Sequence, residues 1–526
     1  MDILIKVIFN IIVVGYMAIT IKHVLHMFQQ NRYELLRYIA WLKKRNFDHQ
    51  DLLLMIILTM LFFIPLLIIN RTYTMVYIAI VVILKVMIEY RIENKKEYIK
   101  PLVWTSRVKR LVFTMLVLNI IWLNIFILLP FNIWSLALII ATIINWFLII
   151  LAYYINQPFE YLVKQYFIND AKRILKGFDR LHIIGITGSY GKTSTKNILD
   201  SVLSESYYTL KTPLSYNTPM GITITIREHL KALHEVFICE MGADKVNEID
   251  FLTKFVKPKY GIVTSIGPQH LNTFLTMENI IHEKMLMIEN LPQDGIGFIN
   301  LDNHYIRNYH IKNNCRLITY GIKSTDVDYN GFDISYNNNG STFFVKAGAD
   351  IKAFKTKLLG EHNIANILVT IAVGRTMGIS WEKLQQAILN LDYVEHRLQL
   401  KKINGLTFID NAFNSNPEGA AMSLTVLSRM ANKRFIITPG MIDLGSRQDE
   451  ANREFGRQML NKVDQVILVG KKQTAMILDG LYEVGFDKDA INVVDSVKEA
   501  FALVYQMANV EDTILLENDL PDAFNN

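Results

Sequence analysis

The sequence predicts an α-helical transmembrane domain of five spans followed by two α/β domains, and three observations predict it. Five long apolar runs fall within the first 155 of the 526 residues. From residue 181 onward, short apolar runs alternate with helical stretches, the pattern of a parallel sheet with crossover helices. The charge divides at the same place. Residues 1–180 carry 21 Lys+Arg against 10 Asp+Glu, a net +11, and the remainder carries 34 against 39, a net −5. The overall +6 is therefore not the even basic charge of a nucleic-acid binder, and no nucleic-acid partner is expected. Twenty-six Gly, 12 Pro and two Cys exclude collagen-like and disulfide-scaffold classes. Cys239 and Cys315 lie far apart, with no CxxC and no zinc spacing, and read as packed thiols of a reducing compartment.

The expected spans are Ile3–Ile21, Leu52–Ile69, Thr72–Ile88, Leu111–Leu129 and Ile133–Ile155. Each approaches the 20 or so apolar residues that cross a bilayer while satisfying their own backbone. The loops orient them. Segments 22–50 and 89–110 hold six and seven Lys/Arg, whereas the other two loops hold one and none. The positive-inside rule then puts the N-terminus outside and residue 156 onward in the cytoplasm. Stretch 158–176 reads as an amphipathic helix near the membrane face. The expected division is 1–156 transmembrane, 157–180 linker, 181–398 central α/β domain and 399–526 a smaller, Rossmann-like C-terminal α/β domain.

HIIGI (182–186), EVFICE (235–240), YGIVTSI (260–266) and GIGFIN (295–300) read as buried strands, with helices such as Lys192–Ser204 and Met277–Leu291 between them. Shorter hairpin-like strands follow over 315–359. A second alternating series begins near 406 with TFID, RFIIT, QVILVG, INVVD and TILLE. The first strand runs into Thr187-Gly188-Ser189-Tyr190-Gly191-Lys192-Thr193-Ser194. Glycines there let backbone N–H groups turn toward phosphate oxygens, and the helix N-terminus adds positive potential. Lys192 is placed to reach the β/γ-phosphates and Thr193 to ligate Mg²⁺. The strict GxxxxGKS/T pattern fails by one residue, because Ile186 stands where its first Gly belongs.

TGSYGKTS resembles the TGxxGKTS/T loop of the Mur ligase family, ATP-dependent ligases that build the peptidoglycan peptide, and is most similar to the D-alanyl-D-alanine-adding branch. Further motifs follow in the family's order. Glu240-Met241-Gly242-Ala243 resembles the EMGA segment, whose Glu binds Mg²⁺. His270, ending TSIGPQH, resembles a His that helps bind a second Mg²⁺. Lys284, fourteen residues on, matches a Lys that is carbamylated in the family, so a carbamylated Lys284 is implied. Gly360-Glu361-His362-Asn363-Ile364-Ala365-Asn366 resembles GxHNxxN, which makes Asn363 and Asn366 nucleotide contacts. Arg397 in EHRLQ matches an Arg that reaches the transferring phosphate. Asp410-Asn411-Ala412-Phe413-Asn414 resembles DDxYN, placing Asp410 and Asn414 at the nucleotide, with Asn411 in place of the second Asp. Thr212 to Gly221 is similar to the family's TxxNxNNxxG substrate loop. Thr212, Asn217 and Gly221 fit it, and Ser215 and Thr218 do not.

The resemblance implies a P-loop Mur-ligase central domain, a Mur-ligase C-terminal domain, ATP with two Mg²⁺ ions, and catalytic roles for Lys192, His270, Lys284 and Arg397. The implied nucleotide contacts are Thr187, Gly188, Ser189, Gly191, Lys192, Thr193, Ser194, Asn363, Asn366, Arg397, Asp410 and Asn414. Thr193, Glu240, His270 and Lys284 are the implied metal ligands. The implied reaction activates a carboxylate as acyl phosphate for attack by an amino acid or small peptide. Five spans occupy the place of the branch's UDP-sugar-gripping domain, and its KGSR-like segment is absent from LLENDLPDAFNN. The expected partners are therefore a lipid bilayer and a cell-envelope precursor that is UDP-linked, lipid-linked or polymeric. The expected location is a bacterial-type cell membrane, with the catalytic domains cytoplasmic. Two other classes stand beside the ligase. One is a catalytically weak, nucleotide-sensing membrane scaffold derived from a Mur ligase, suggested by Asn411 and Ser215. The other is a transport ATPase, disfavoured by the lack of an LSGGQ signature.

Overall fold

The computed structural model describes residues 20–44, 101–127, 131–337, 340–393, 398–412, 415–442 and 447–518, together with Val7, Met17, Ile80, Met87, His396 and Leu444. Two compact units divide the chain, Met1–Tyr166 and Phe167–Asn526.

The first unit is helical, with α1 (Leu35–Lys44), α2 (Ser106–Ile127) and the part of α3 (Phe131–Lys176) up to Tyr166. Val108, Leu111, Met115 and Leu123 of α2 recur at helical spacing and join Val24, Leu25, Phe28 and Ile149 in one buried cluster. A polar chain runs through it: Asn119 Nδ2 donates to Asn145 Oδ1 at 2.8 Å, and Asn145 Nδ2 to Thr20 Oγ1 at 2.8 Å. On its other side α2 exposes Phe113, Val117, Ile120, Ile121 and Ile125.

The five expected spans are corrected here. Among the described residues one helical segment, Ser106–Ile125, is long and apolar enough to cross a membrane, not five. It overlaps the fourth expected run. The first three runs lie almost wholly outside the described residues. The fifth is part of α3, a single 46-residue helix that continues through Pro158 into charged sequence up to Lys176. Apolar length alone does not separate a lipid-facing span from a helix whose apolar stripe packs on its neighbours.

In the second unit the described strands form two sheets. The first is built from β1 (His182–Thr187), β2 (Thr209–Lys211), β3 (Val236–Glu240), β4 (Tyr260–Val263), β5 (Ile296–Asn300), β6 (Arg316–Gly321), β7 (Tyr329–Asn337), β8 (Gly340–Ala347) and β9 (Asp350–Thr356), in the order β2-β3-β1-β4-β5-β6-β7-β8-β9. Pairing is parallel from β2 to β7 and antiparallel across β7-β8-β9. The helices include α4 (Lys192–Leu203), α5 (Pro219–Ile224), α6 (Glu248–Val256), α7 (Leu271–Phe274), α8 (Met277–Glu289), α9 (Glu361–Thr376) and α10 (Trp381–Leu389). Strands buried on both faces need near-continuous apolar sequence, and β1 and β3 supply it with Ile184, Ile186, Val236, Phe237 and Ile238. Ile198, Leu199, Val202 and Leu203 bring α4 down onto them.

The second sheet has the order β10-β11-β15-β12-β13-β14. It is made of β10 (Gln399–Ile403), β11 (Leu406–Asn411), β12 (Arg434–Thr438), β13 (Gln465–Val469), β14 (Ile491–Val494) and β15 (Thr513–Glu517). Only β10 is antiparallel to its neighbour. Its helices include α11 (Pro417–Leu427), α12 (Gln448–Gln458), α13 (Ala475–Glu483) and α14 (Val497–Met507). Both sheets are doubly wound, so ligand crevices are expected at the carboxyl ends of their strands. In the first sheet β1 lies between β3 and β4, where the chain reverses its direction of travel across the sheet.

Candidate active site

The phosphate loop occupies that reversal point. Gly188 and Gly191 have φ +148° and +81°, a region that favours glycine. A Cβ on Gly188 would lie 2.1 Å from Thr264 Oγ1. The segment after β4 pins the loop. Ser189 N donates to Ser265 O at 2.6 Å, Ser189 Oγ exchanges 3.0 Å bonds with Gly267 N and O, and Thr264 Oγ1 donates to Tyr190 O at 2.6 Å. Gly191 caps α4 without any side-chain hydrogen bond, which leaves the first-turn N–H groups available to an anion. Lys192 Nζ arches over the loop, donating to Gly188 O at 2.6 Å and Ser189 O at 3.0 Å. Thr187 Oγ1 is buried and donates to Met241 O at 2.9 Å, and Ser194 is buried on α4.

Asn366 of α9 reaches this loop, its Oδ1 accepting from Thr195 Oγ1 at 2.9 Å. Its Nδ2 is buried and has no hydrogen-bond partner among the described residues. Asn363 is buried too, but its amide donates to Leu359 O at 2.9 Å within its own helix start.

Glu240 ends β3 directly opposite Ile186 of β1. Its Oε1 accepts from Thr193 Oγ1 at 3.2 Å and Asn217 Nδ2 at 3.0 Å. Its Oε2 lies 3.0 Å from Lys196 Nζ, and both side chains are only 1% exposed. That contact is an ion pair without hydrogen-bond geometry, since Oε2 has no hydrogen-bonding donor. The Lys196 ammonium donates instead to Leu214 O. Thr212 Oγ1 accepts from Glu240 N at 3.1 Å, and Asn217 O accepts from Gly242 N at 2.9 Å. Thr193, Glu240, Thr212 and Asn217 therefore converge. Lys196 joins them, a residue the sequence reading passed over because a lysine one turn into an amphipathic helix looks solvated.

No group of three His, Cys, Asp or Glu side chains among the described residues forms a metal cage. One carboxylate beside a P-loop hydroxyl nevertheless fits Mg²⁺, which keeps waters and takes its remaining oxygens from phosphates.

Lys284 of α8 is 2% exposed, donates to Ala243 O at 3.1 Å and lies 5.8 Å over the Phe274 ring. Burial, reinforced by the nearby positive charge of Lys192, pushes its pKa down to about 7. Its neighbour Glu283 caps α6, accepting from Asn247 N at 2.7 Å and Ile249 N at 2.6 Å, which fixes α8 against the loop after Ala243. His270 sits in left-handed backbone with φ +56°, its Nε2 3.2 Å from Asp244 Oδ1.

Asp410 is the last residue but one of β11 and is buried. It accepts from Lys401 Nζ at 2.6 Å, His396 Nδ1 at 2.9 Å and Ala412 N at 3.2 Å. Burial pushes its carboxyl up, but the Lys401, Ala412 and His396 hydrogen bonds more than offset this and hold it below the ordinary aspartate value. Asn411 stands beside Glu517 in register. Its Nδ2 donates to Glu517 Oε2 at 2.9 Å, while Ser423 and Ser415 hydroxyls donate to the same carboxylate at 2.6 Å each. Burial pushes Glu517 above its ordinary value, against the pull of those three donors. Asn518 completes the arrangement, accepting from Ser415 N at 3.2 Å. The Asn in place of the motif's second Asp thus has a structural reason: a carboxylate at 411 would face the carboxylate of 517. Arg397 and Asn414 lie outside the described residues.

A phosphate loop at the switch point of one doubly wound sheet, followed by a second doubly wound sheet, defines a two-domain P-loop α/β protein. The comparisons narrow the class. The Mur ligase middle domain matches residues 186–374 and the Mur ligase glutamate ligase domain matches residues 396–517. The chain is 30% identical over 339 residues to the UDP-N-acetylmuramoyl-tripeptide–D-alanyl-D-alanine ligase of Bacillus subtilis, covering 64% of this chain and 72% of that one. The structure of MurF ligase from Thermotoga maritima in complex with ADP aligns with a TM-score of 0.61 at 24% identity, covering 68% of this chain and 80% of that one. MurF from Acinetobacter baumannii aligns with a TM-score of 0.61 at 21% identity, over 68% and 77%. The protein belongs to the Mur ligase family.

Proposed function

We propose that the protein is an ATP-dependent, ADP-forming ligase that joins an amine to a carboxylate of a cell-wall precursor. The observation that carries this reading is Glu240 held at the mouth of the phosphate loop by Thr193 and Asn217, one from the nucleotide side and one from the acceptor loop. A substrate carboxylate oxygen attacks the γ-phosphorus of ATP and ADP departs. The amine then attacks the acyl carbon, the C–N bond forms, phosphate leaves and the amine's proton passes to solvent.

Lys192 and the uncapped N–H groups of α4 hold the phosphates, and Asn366 Nδ2 supplies a buried donor beside them. Thr193 and Glu240 would hold Mg²⁺, with His270 and Lys284 at a second ion. That metal supplies charge neutralisation for the phosphoryl transfer. A lysine with a pKa of about 7 is roughly half neutral amine at pH 7, the form that adds CO₂, so carbamylated Lys284 fits its surroundings. Asp410 and Arg397 serve the nucleotide from the C-terminal side. The relatives' names make a muramoyl-peptide carboxylate and a small peptide amine the first substrates to try.

The scaffold reading loses one of its two motives, because Asn411 is engaged by Glu517. The helical unit is the basis for proposing a membrane location with the α/β domains on the cytoplasmic side. The apolar face of Phe113, Ile120, Ile121 and Ile125 supports it, as do the basic residues Arg107, Lys109 and Arg110 before it. Release of ADP by the purified protein, dependent on one carboxylate and one amine and abolished in Lys192→Ala, tests the reaction. ATP binding with no turnover across a panel of both would refute it. Recovery in the carbonate-washed pellet tests the location, and full extraction by carbonate would refute it.

A further inference from the structure

Lys196 is the charged group in this centre that the reaction scheme leaves without a role. It is 1% exposed, which for a lysine requires a partner, and it has two. One is Glu240 Oε2 at 3.0 Å, and the other is the carbonyl of Leu214. Leu214 belongs to the segment between Thr212 and Asn217. It is 81% exposed, sits in left-handed backbone with φ +44°, and begins a tight turn in which Tyr216 N donates to Pro213 O at 2.9 Å. A branched, exposed side chain in that conformation persists only where the surroundings impose it. The buried ammonium is one such constraint, and Glu240 holds the ammonium in place.

We propose that Lys196 is a positioning residue that straps the acceptor loop to the metal carboxylate, and that it acts as a built-in cationic competitor for that carboxylate. The proposal rests on the reading of Glu240 as a magnesium ligand. Its consequence runs against ordinary mutational damage. Loss of the lysine frees the loop and at the same time removes a positive charge that any incoming divalent ion must approach. Metal binding tightens while acceptor order falls. A residue that merely supports the fold would weaken both.

The test uses the full-length protein in detergent at pH 8, with Mn²⁺ and ADP as probes. Mn²⁺ binding in the presence of ADP is read by electron paramagnetic resonance, and amide exchange of residues 214–217 by mass spectrometry. In Lys196→Met, Mn²⁺ is expected to bind about tenfold more tightly and the loop amides to exchange about tenfold faster. Lys196→Gln keeps a donor for Leu214 O and loses the charge. It should show the tighter metal binding with a loop close to wild type, and it decides the charge effect alone where Lys196→Met does not fold. Lys196→Arg, which keeps charge and donors, should stay near wild type in both readings.

Weaker Mn²⁺ binding in both neutral variants would overturn the proposal, as would loop exchange unchanged in a folded Lys196→Met. Glu240→Gln separates the two levels of inference. If it binds Mn²⁺ as well as wild type does, the metal assignment itself fails and the strap falls with it. If it loses Mn²⁺ while the Lys196 variants behave like wild type, the metal assignment stands and only the strap is refuted.

Discussion

Replacing Asn411 with aspartate restores the residue found in the resembled motif, and the structure says that it harms this protein. Asn411 Nδ2 donates at 2.9 Å to Oε2 of Glu517, whose carboxylate is buried. Asn411→Asp removes a hydrogen bond to a charged group, a contribution of about 1.5–3 kcal/mol. It also sets two carboxylates about 3 Å apart, where full ionisation would cost roughly 5 kcal/mol at an effective dielectric of about 20. Keeping a proton on the pair is cheaper. Glu517 is already pushed above its ordinary 4.5, so holding it neutral at pH 7 costs at most ~3.4 kcal/mol, and the protonated carboxyl restores a hydrogen bond to its neighbour. The net expectation is a loss of about 2–3 kcal/mol at pH 7, an apparent Tm lower by roughly 3–4 °C.

The pair's folded pKa lies above the unfolded value, so the folded variant binds more protons than the unfolded chain above pH 4.5, and its stability falls as pH rises. Thermal unfolding of wild type and variant at pH 5.5 and pH 8 reads this directly. The gap should be small at the lower pH and large at the higher. The double variant Asn411→Asp with Glu517→Gln, which puts an amide back against a carboxylate, should recover most of the loss. A single variant as stable as wild type at pH 8, or a gap equal at both pH values, would refute the reasoning.

Lys284 makes an opposite pH prediction. Its folded pKa of about 7 lies below the ordinary 10.5, so the unfolded chain binds more protons between those values and stability rises with pH across the window, by up to ~1.4 kcal/mol per pH unit from this group. In CO₂-depleted buffer Lys284→Met should lack that rise, and equal slopes for the two proteins would refute the burial assignment. Under ¹³CO₂ the wild type should give a carbamate carbon signal that Lys284→Met lacks. Gly188→Ala forces a Cβ to within 2.1 Å of Thr264 Oγ1, and ADP affinity by titration calorimetry should fall by at least a hundredfold, or about 2.7 kcal/mol. Glu283→Gln leaves one of the two acceptors of the α6 cap and turns an amide NH2 toward the other backbone N–H, costing about 2 kcal/mol in unfolding experiments while leaving ADP binding within twofold.

Some of this was legible in the sequence because the cause is local. The loop from Thr187 to Ser194 carries its glycines, lysine and threonine within eight residues, and Glu240 is marked by its place at the end of an apolar strand. Other parts were hidden because their cause lies far along the chain. The buried state of Lys196 depends on Leu214 and Glu240, and the reason for Asn411 is a glutamate 106 residues later. The pinning of the loop by Thr264, Ser265 and Gly267 rests on β1 and β4 being neighbours, which topology decides. In the helical unit the misreading had a different cause. Composition registers how apolar a helix is, but not whether its apolar side packs on protein or lipid.

The place of β15 has a consequence for how the protein is made. It lies between β11 and β12, so the middle of the second sheet is the last strand of that sheet to be synthesised. Until residue 517 has cleared the ribosome, β11 and β12 have open edges and Asn411 has no carboxylate to hold it. The first sheet, complete by residue 356, can fold while translation continues. A nascent chain stalled before β15 would then carry a finished phosphate loop and a second sheet lacking its middle strand. Completion of the second sheet, rather than of the phosphate loop, is therefore the last step of assembly as the chain emerges.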